Sequence, residues 1–381
     1  MTWPGRGARW GLVWAWCYAA CSVEPPKLDP DAGVEDSGGG AEDSAGEDVA
    51  PDALSDAGAG VPVDRACGQD LPAGVRVLAC TDDYTQSTVT TSQSASWYTA
   101  QGELWRVRHG DSERLRLGHG GTTRLSRLVG SETALFGFSE IDASILAWSA
   151  AQGFEPSFVS GVAGPYGLFA RGDSILWSTD APPAIWERSL SLGPGQGGSL
   201  IGRGSSNVRS LAAAGEDLVW VSTSTTELSV WRARGGAPDG EVLTSTAPIN
   251  WSHALAVLPG RAFVAINRCT GCGIVAIGCC QAWIVSIDLA SGAANVVLRE
   301  GPDPITGLAL SDRHLAYTTR LLVMVASTST TALMPAAIAG TYGSPQDVTL
   351  VGRQLSWFDP RRSGDVGRRR GRILATTLEG Q

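Results

Sequence analysis

The sequence offers little that would support a helical protein, a nucleic-acid binder or a membrane-spanning one. Its 48 glycines among 381 residues, with many Ser and Thr, are typical of short strands joined by tight turns rather than of helices. Lysine is nearly absent, since Lys27 is the only one and every other basic residue is Arg. The net charge of -9 comes mostly from residues 21–60. The remainder is nearly neutral, which excludes a general nucleic-acid binder because such proteins carry a strong basic excess.

Near the N-terminus the chain has one apolar run, Trp10–Ala20 (WGLVWAWCYAA), which is too short to span a bilayer. Arg6 and Arg9 precede it, and a basic segment followed by an apolar one is the order found in secretory signals. We therefore interpret residues 1–20 as a signal peptide and expect an exported protein.

The signal peptide is followed directly by Cys21. The four residues Tyr18–Cys21 (YAAC) resemble the bacterial lipobox, where two small residues precede a cysteine that is lipidated. Tyr18 departs from the usual Leu, and ordinary signal-peptidase cleavage in the same stretch is the alternative. The resemblance implies lipidation at Cys21, and Ser22 then resembles an outer-membrane sorting residue. We expect a protein that is lipid-anchored to the outer membrane, or otherwise periplasmic or extracellular, and that touches the membrane through this anchor only.

Residues 22–63 contain no aromatic residue and few large aliphatic ones. Such a segment cannot bury enough apolar area to offset the entropy of ordering, so we expect residues 21–66 to form a disordered acidic tether. Repulsion among its carboxylates should extend it and hold the following domain away from the membrane. A calcium site is the alternative, but the acidic residues lack the spacing of a Ca²⁺ loop.

A short motif recurs after the tether: one or two turn residues, then an apolar strand that ends in an aromatic residue. The clearest copies are GDSILW at 172–177, GEDLVW at 215–220 and GRQLSW at 352–357. Their period is close to the ~40–45 residues of a four-stranded propeller blade. One residue anchors each of seven copies, with alanine replacing the aromatic in the fifth: Trp97, Phe136, Trp177, Trp220, Ala265, Tyr317 and Trp357.

Further strands flank each anchor. An aliphatic residue shortly before it marks an innermost strand (Leu168, Leu211, Leu255, Leu308 and Val348), and two apolar strands follow it. Seven such units predict an all-β fold, a single seven-bladed β-propeller of four-stranded blades over residues 67–381. A series of β-sandwiches would not repeat one strand order at one period. The last unit ends after its third strand, so we expect Val75–Ala79 to supply the fourth and close the ring.

The third unit carries a known signature. ILWSTD at Ile175–Asp180 resembles the LYWTD signature of the YWTD and NHL-like propellers, and the rest resembles divergent propeller lipoproteins of GC-rich Gram-negative bacteria. YWTD propellers have six blades, so a count of seven departs from that family. The resemblance implies a binding scaffold rather than a named activity.

Six cysteines remain once Cys17 leaves with the signal peptide and Cys21 carries lipid: Cys67, Cys80, Cys269, Cys272, Cys279 and Cys280. An even number in an exported chain predicts three disulfides. We expect Cys67 to pair with Cys80 beside the closing strand, where loop closure contributes about 3 kcal/mol. The other four form the insert CTGCGIVAIGCC, in the hairpin between the second and third strands of blade five.

A zinc site is the alternative for the blade-five insert because Cys269 and Cys272 have a ligand-like spacing. The adjacent pair Cys279 and Cys280 grips one tetrahedral ion poorly, so we favour disulfides and expect no metal. A thioredoxin-like redox motif would need a βαβ context, which is missing.

Blade seven has the other long insert at the corresponding hairpin, Asp359–Gly371. It holds five arginines, with Arg372 just beyond: Arg361, Arg362, Arg368, Arg369 and Arg370. Arg forks are suited to capturing an anionic group. The alternative is a solvated hairpin in a protein whose basic residues are nearly all Arg.

In a propeller these hairpins share one face with the loops that lead into the innermost strands. The residues two positions before the innermost-strand aliphatics should line the mouth of the central channel on that face: Tyr166, Arg209, His253, Thr306 and Gln346. We hypothesise that this insert-bearing face binds a ligand. The alternative is that these residues only begin strands.

The sequence contains no catalytic constellation. Its four histidines, His109, His119, His253 and His314, fall in different repeats and form no i, i+4 metal pair. The GDS strings at Gly110 and Gly172 lack a strand-to-helix elbow, and the glycine-rich stretch at 193–198 lacks a βαβ frame.

Two functions remain in view. The favoured one is a non-catalytic, monomeric envelope protein without a cofactor that binds a protein, a glycan or another surface ligand. The alternative is a propeller lyase or hydrolase in which His253 and neighbouring residues act at the channel mouth.

Overall fold

A computed structural model describes most of the chain between Val61 and Leu378, all of it within the unit Leu54–Gln381. The signal peptide, Cys21 and nearly all of the tether lie outside the described residues. No helix among the described residues is long and apolar enough to cross a membrane. The gaps within the described part are 63–66, 68–70, 82–84, 92, 100, 120–124, 132, 163–166, 181, 193–196, 204–206, 225–226, 236–238, 247–253, 270–279, 301–302, 330–332, 341–345 and 361–370.

The described residues form 29 strands. The first fourteen are β1 (Val61–Pro62), β2 (Arg76–Thr81), β3 (Thr85–Thr90), β4 (Ser94–Thr99), β5 (Glu103–Arg108), β6 (Glu113–His119), β7 (Leu125–Gly130), β8 (Ala134–Ser139), β9 (Ser144–Ser149), β10 (Gly153–Ser160), β11 (Leu168–Arg171), β12 (Ser174–Asp180), β13 (Pro183–Ser189) and β14 (Ser199–Arg203). The others are β15 (Asn207–Ala214), β16 (Asp217–Thr223), β17 (Leu228–Arg234), β18 (Glu241–Thr246), β19 (Ala254–Leu258), β20 (Arg261–Cys269), β21 (Cys280–Asp288), β22 (Ala294–Glu300), β23 (Gly307–Leu310), β24 (His314–Thr318), β25 (Leu322–Ser327), β26 (Ala336–Gly340), β27 (Gln346–Val351), β28 (Gln354–Pro360) and β29 (Gly371–Thr377).

These strands build seven antiparallel blades, which confirms the predicted β-propeller. Blades one to six each take four consecutive strands, beginning with β3, β7, β11, β15, β19 and β23. Each of these first strands packs against the first strand of the next blade, and β27 of blade seven packs against β3. The seven first strands therefore surround the axis as a closed ring.

Blade seven is closed by the N-terminal strand, as the sequence predicted. Its order is β27-β28-β29-β2, and β2 pairs antiparallel with β29 so that Cys80 lies opposite Arg372. The Thr81 hydroxyl donates to the Gly371 carbonyl at 3.0 Å and accepts from the Gly371 amide at 3.1 Å. The predicted Cys67–Cys80 disulfide is present, with a Cα–Cα distance of 5.9 Å. Residues from both ends of the domain thus complete one sheet.

Blade one carries an additional short strand. Strand β1 pairs with the outermost strand β6 through Val61 opposite Arg114 and Pro62 opposite Glu113. The sequence analysis had assigned Val61–Pro62 to the tether, so ordered pairing begins ahead of the boundary drawn at residue 67.

The repeated motif is explained by the packing of its anchor residue. All seven anchors lie on the second strand of their blade and are buried, from 0% to 4% exposed. Leu168 lies opposite Trp177 and Leu211 opposite Trp220, so the aliphatic residue of the innermost strand and the anchor form cross-strand pairs. The turns between them use Gly172 and Gly215 at φ of 61° and 60°, a backbone conformation that residues with a Cβ rarely adopt.

Polar side chains connect neighbouring blades near the axis. The buried Asn267 of blade five donates from Nδ2 to the Ile305 carbonyl and accepts from the Ile305 amide, both at 2.8 Å. In blade one, the Ser87 hydroxyl accepts from the Leu128 amide of blade two at 2.8 Å. Such bonds satisfy buried backbone groups and fix the stagger of one blade on the next.

Arginine takes part in the blade interfaces of this lysine-poor chain. The Arg106 guanidinium of blade one lies 4.5 Å from the ring centroid of Trp148 in blade two, and that of Arg188 in blade three lies 4.0 Å from Phe158. A planar guanidinium group can stack on an aromatic face and at the same time donate hydrogen bonds in its own plane. An ammonium group does this less well.

The closing blade contains the most deeply buried ion pair of the described residues. Arg372 Nε and Asp359 Oδ2 are 2.8 Å apart on the neighbouring strands β29 and β28, with side chains 2% and 0% exposed. Arg372 also donates from Nη1 to the Cys67 carbonyl at 3.3 Å. The guanidinium thus connects β28 to the segment that carries the disulfide.

Replacing Arg372 with Leu should destabilise the domain strongly, because it leaves the Asp359 carboxylate buried without its partner. We expect a loss of about 3–5 kcal/mol in the free energy of unfolding, measured with urea. The double variant Arg372→Leu/Asp359→Leu removes both charges and should lose less than Arg372→Leu alone. A double variant less stable than both single variants would contradict the assignment.

Candidate functional site

Strand direction divides the loops of the propeller between two faces. Because every blade is antiparallel, the loops entering the innermost strands and the hairpins joining second to third strands lie at one end; we call this the entry face. The turns from first to second and from third to fourth strands lie at the other end, the turn face. Strands β20 and β28 end at the entry face, and β21 and β29 begin there. The two predicted inserts that connect them, residues 270–279 and 361–370, lie outside the described residues.

The described residues among the predicted channel-mouth set lie at the entry face. Arg209 is on β15, Thr306 directly precedes β23 and Gln346 begins β27. Arg209 is half-buried and donates from Nε to the Thr223 hydroxyl at 3.3 Å. The Thr306 and Thr318 hydroxyls share a hydrogen bond of 3.0 Å. Tyr166 and His253 lie outside the described residues.

Irregular backbone recurs where the innermost strands begin. The ladder between β15 and β16 shifts register between Val208 and Ser210, which places Arg209 in a β-bulge. Comparable shifts occur at the same end of β3, β7 and β27. A bulge redirects a side chain without ending the strand, so it gives the channel mouth a way to present different residues from one blade to the next.

Blade five contains the longest pair of neighbouring strands in the described structure. Strands β20 and β21 have nine residues each and pair without a register shift up to Cys269 opposite Cys280. The Leu289 amide donates to the Gly260 carbonyl at 3.0 Å, just before the Arg261–Asp288 pair. Counting along the ladder from that bond, Cys269 and Cys280 form a non-hydrogen-bonded pair. Cys272 and Cys279 lie outside the described residues.

The five arginines predicted to capture an anion, Arg361, Arg362, Arg368, Arg369 and Arg370, lie outside the described residues, so their proposed role stays a prediction. Arg372, just beyond the insert, lies on β29. Its side chain is buried against Asp359, which makes it part of the blade rather than of the loop.

Blade six has only a short turn at the corresponding position, residues 319–321, where the Thr319 amide donates to the Leu322 carbonyl at 2.9 Å. This turn exposes two leucines: Leu321 is 50% exposed and Leu322 is 37% exposed. Strand β25 begins at Leu322, so Leu321 lies in the turn. Side chains alternate between the two faces of a strand, so two consecutive leucines cannot both face the core.

The described ionisable groups give the enzyme alternative no metal site. No group of three or more His, Cys, Asp or Glu in the described part of the chain is placed to hold an ion. Burial, with Asp142 nearby, raises the pKa of Tyr98 to about 12. Burial, the nearby Glu300 carboxylate and a hydrogen bond to it also raise the pKa of Tyr317 above its usual value. Both phenols stay protonated at neutral pH, so neither supplies a base.

Sequence comparisons and structure comparisons give different answers. No family model and no curated protein matches the sequence. A chain of the Mitotic Checkpoint Complex matches with a TM-score of 0.57 at 15% identity, over 81% of this chain and 96% of that one.

Two further structures are similar. A chain of Kuenenia stuttgartiensis hydrazine synthase has a TM-score of 0.55 at 11% identity, covering 73% of this chain and 92% of that one. The computationally designed Ika8 protein has a TM-score of 0.52 at 13% identity, covering 79% and 98%. The likeness shows the fold alone. It agrees with the propeller implied by the YWTD-like motif and adds no activity.

The register of β20 and β21 predicts how the four insert cysteines pair. Non-hydrogen-bonded pairs bring Cα atoms to about 4.5 Å, within the range of a disulfide, so we expect Cys269–Cys280 and therefore Cys272–Cys279. The variant Cys269→Ser/Cys280→Ser should then show no free thiol in a thiol-reactive assay of the unfolded protein. The matched variant Cys269→Ser/Cys279→Ser should expose both partners. The reverse result would contradict the predicted pairing.

Proposed function

We propose that this chain is an exported, lipid-anchored propeller that binds an acidic, partly apolar segment of another envelope protein on its entry face. The signal-like N-terminus, the lipobox-like sequence ending in Cys21 and the acidic tether support export and anchoring. The propeller supplies a rigid disc, and its loops supply recognition.

The observation that carries this proposal is the difference in length among three consecutive connections on the entry face. Ten residues separate β20 from β21 in blade five and β28 from β29 in blade seven, whereas only residues 319–321 separate β24 from β25 in blade six between them. Loops on a rigid scaffold commonly carry recognition, so this change in loop length supports a binding role for the entry face.

The side chains at this position favour a protein ligand over a glycan. Leu321 and Leu322 offer apolar contact at the short connection of blade six, and exposed leucines supply the desolvated centre that protein interfaces require. The sequence between β28 and β29 contains five arginines. Arg forks pair with carboxylates, so a partner segment that combines acidic and apolar side chains fits both features.

Selection from a random peptide library against the mature domain tests this proposal. We expect the selected peptides to be enriched in Asp and Glu together with Leu, Ile or Phe. Their affinity should fall by more than about ten-fold for Arg368→Glu/Arg369→Glu/Arg370→Glu and for Leu321→Asp. Leu192→Asp is the matched control, because Leu192 is 37% exposed and lies on the turn face.

Selected peptides without acidic enrichment would contradict the proposal. So would peptides that bind the arginine and leucine variants as tightly as the unsubstituted domain, or binding of glycans by a domain that selects no peptide.

A further inference from the structure

A polar pocket of about 580 Å³ opens on the turn face, opposite the proposed protein-binding site. Turns of blades five and six form its walls and Arg353 of blade seven extends it, so it spans three consecutive blades. We propose that this pocket binds a small organic anion through carboxylate or phosphate oxygens.

The charged side chains around the pocket favour an anion. Three arginines line it, Arg261, Arg313 and Arg353, against two aspartates, Asp288 and Asp312. Arg313 and Asp312 are 3.9 Å apart with side chains 82% and 76% exposed, and such exposed pairs are weak enough for a ligand to compete with them. The arginines outnumber the aspartates in the lining of the pocket, so the net charge there is positive and favours an anionic ligand.

Asp288 is committed to its own turn. Its Oδ1 accepts from the Ser291 hydroxyl at 2.7 Å, the Ser291 amide at 2.8 Å and the Ala290 amide at 3.1 Å. These bonds, together with nearby Arg261, hold the pKa of Asp288 below its usual value. The carboxylate thus serves to shape the β21–β22 turn, and Arg261 remains beside the pocket.

His314 provides a polar group that has no protein partner for one of its nitrogens. The side chain lines the pocket and is 8% exposed, and its buried Nδ1 has no hydrogen-bond partner among the described residues. A buried polar atom without a partner is unfavourable, so such atoms are uncommon in folded proteins. His314 thus adds a polar side chain to the lining of the pocket.

The walls of the pocket are fixed by bonds between two turns of blade six. The Thr328 amide donates to the Arg313 carbonyl at 2.9 Å, and the Thr328 hydroxyl donates to the Asp312 carbonyl at 3.2 Å. The guanidinium group of Arg353 is held through its Nε, which donates to the Leu378 carbonyl at 2.7 Å. A site whose groups are already ordered loses less entropy when a ligand binds.

The size and lining of the pocket limit the ligand class. Its volume lies within the range of about 300–1,000 Å³ found for small-molecule sites. The aromatic residue that lines it, Phe263, is only 2% exposed and offers no face for stacking. A small, compact anion therefore fits better than a ligand with an aromatic ring or a nucleobase.

Calorimetric titration of the mature protein with citrate and, separately, with inorganic phosphate tests the proposal. We expect saturable binding of at least one probe, weakened about ten-fold or more in Arg261→Gln and in Arg313→Gln, because each removes a charge-assisted hydrogen bond. Arg203→Gln is the matched control, since Arg203 is exposed and lies 3.5 Å from Asp239, away from the pocket. Its affinity should match that of the unsubstituted protein.

The two probes distinguish the source of the oxyanion. Binding of citrate alone indicates a carboxylate ligand and binding of phosphate alone a phosphorylated one, and either supports the proposal. No saturable binding of either probe would overturn it, as would equal affinity in Arg261→Gln, Arg313→Gln and the unsubstituted protein. Peptide binding at the entry face should be unchanged in both variants, so the two proposals fail separately.

Discussion

The pairing of β2 with β29 is the constraint on which the rest of the structure depends. It brings a strand from the start of the domain into the last blade, and without it blade seven would have three strands and the hydrogen-bonding edge of β29 would be unpaired. The disulfide Cys67–Cys80, the Thr81–Gly371 bonds and the Arg372–Asp359 pair all lie at this junction. Because the core lies between blades, an open seventh blade would also expose the cluster that contains Trp97 and Phe358.

Ring closure also separates the two faces of the propeller, and the loops on the two faces differ in length and in how they are held. On the entry face the connections from second to third strands differ in length, with ten residues in blades five and seven and three in blade six, while the strands that flank them keep the same order. On the turn face the short turns are held to one another, as Thr328 is to Arg313, and they enclose a pocket of fixed shape. A large, adaptable partner suits the first arrangement and a small anion suits the second.

The sequence was sufficient for the features that repeat. Each blade needs one large residue at the same interior position, so the anchors Trp97 to Trp357 marked the second strands correctly, and the missing fourth strand of blade seven pointed to Val75–Ala79. The Cys67–Cys80 pair followed from the same reasoning about the closing strand. The repeat in the sequence reveals these positions because equivalent residues pack in the same way in every blade.

The features that occur once could not be predicted in this way. Arg372 looks like part of an arginine-rich loop, and only its place on β29 opposite Asp359 shows that it is buried. The pocket depends on side chains from turns far apart in sequence, such as Arg261 and Arg353, and nothing local in either turn indicates the other. Strand β1 is two residues long and has no pattern to detect.

The most direct measurement of the central claim is urea unfolding of two deletion variants, followed by tryptophan fluorescence. One lacks residues 61–81 and with them β1 and β2, and the other lacks residues 22–60 and keeps both strands. If closure by β2 holds the ring together, the first variant should show no cooperative transition while the second unfolds as the mature protein does. Equal, cooperative unfolding of both variants would contradict the account.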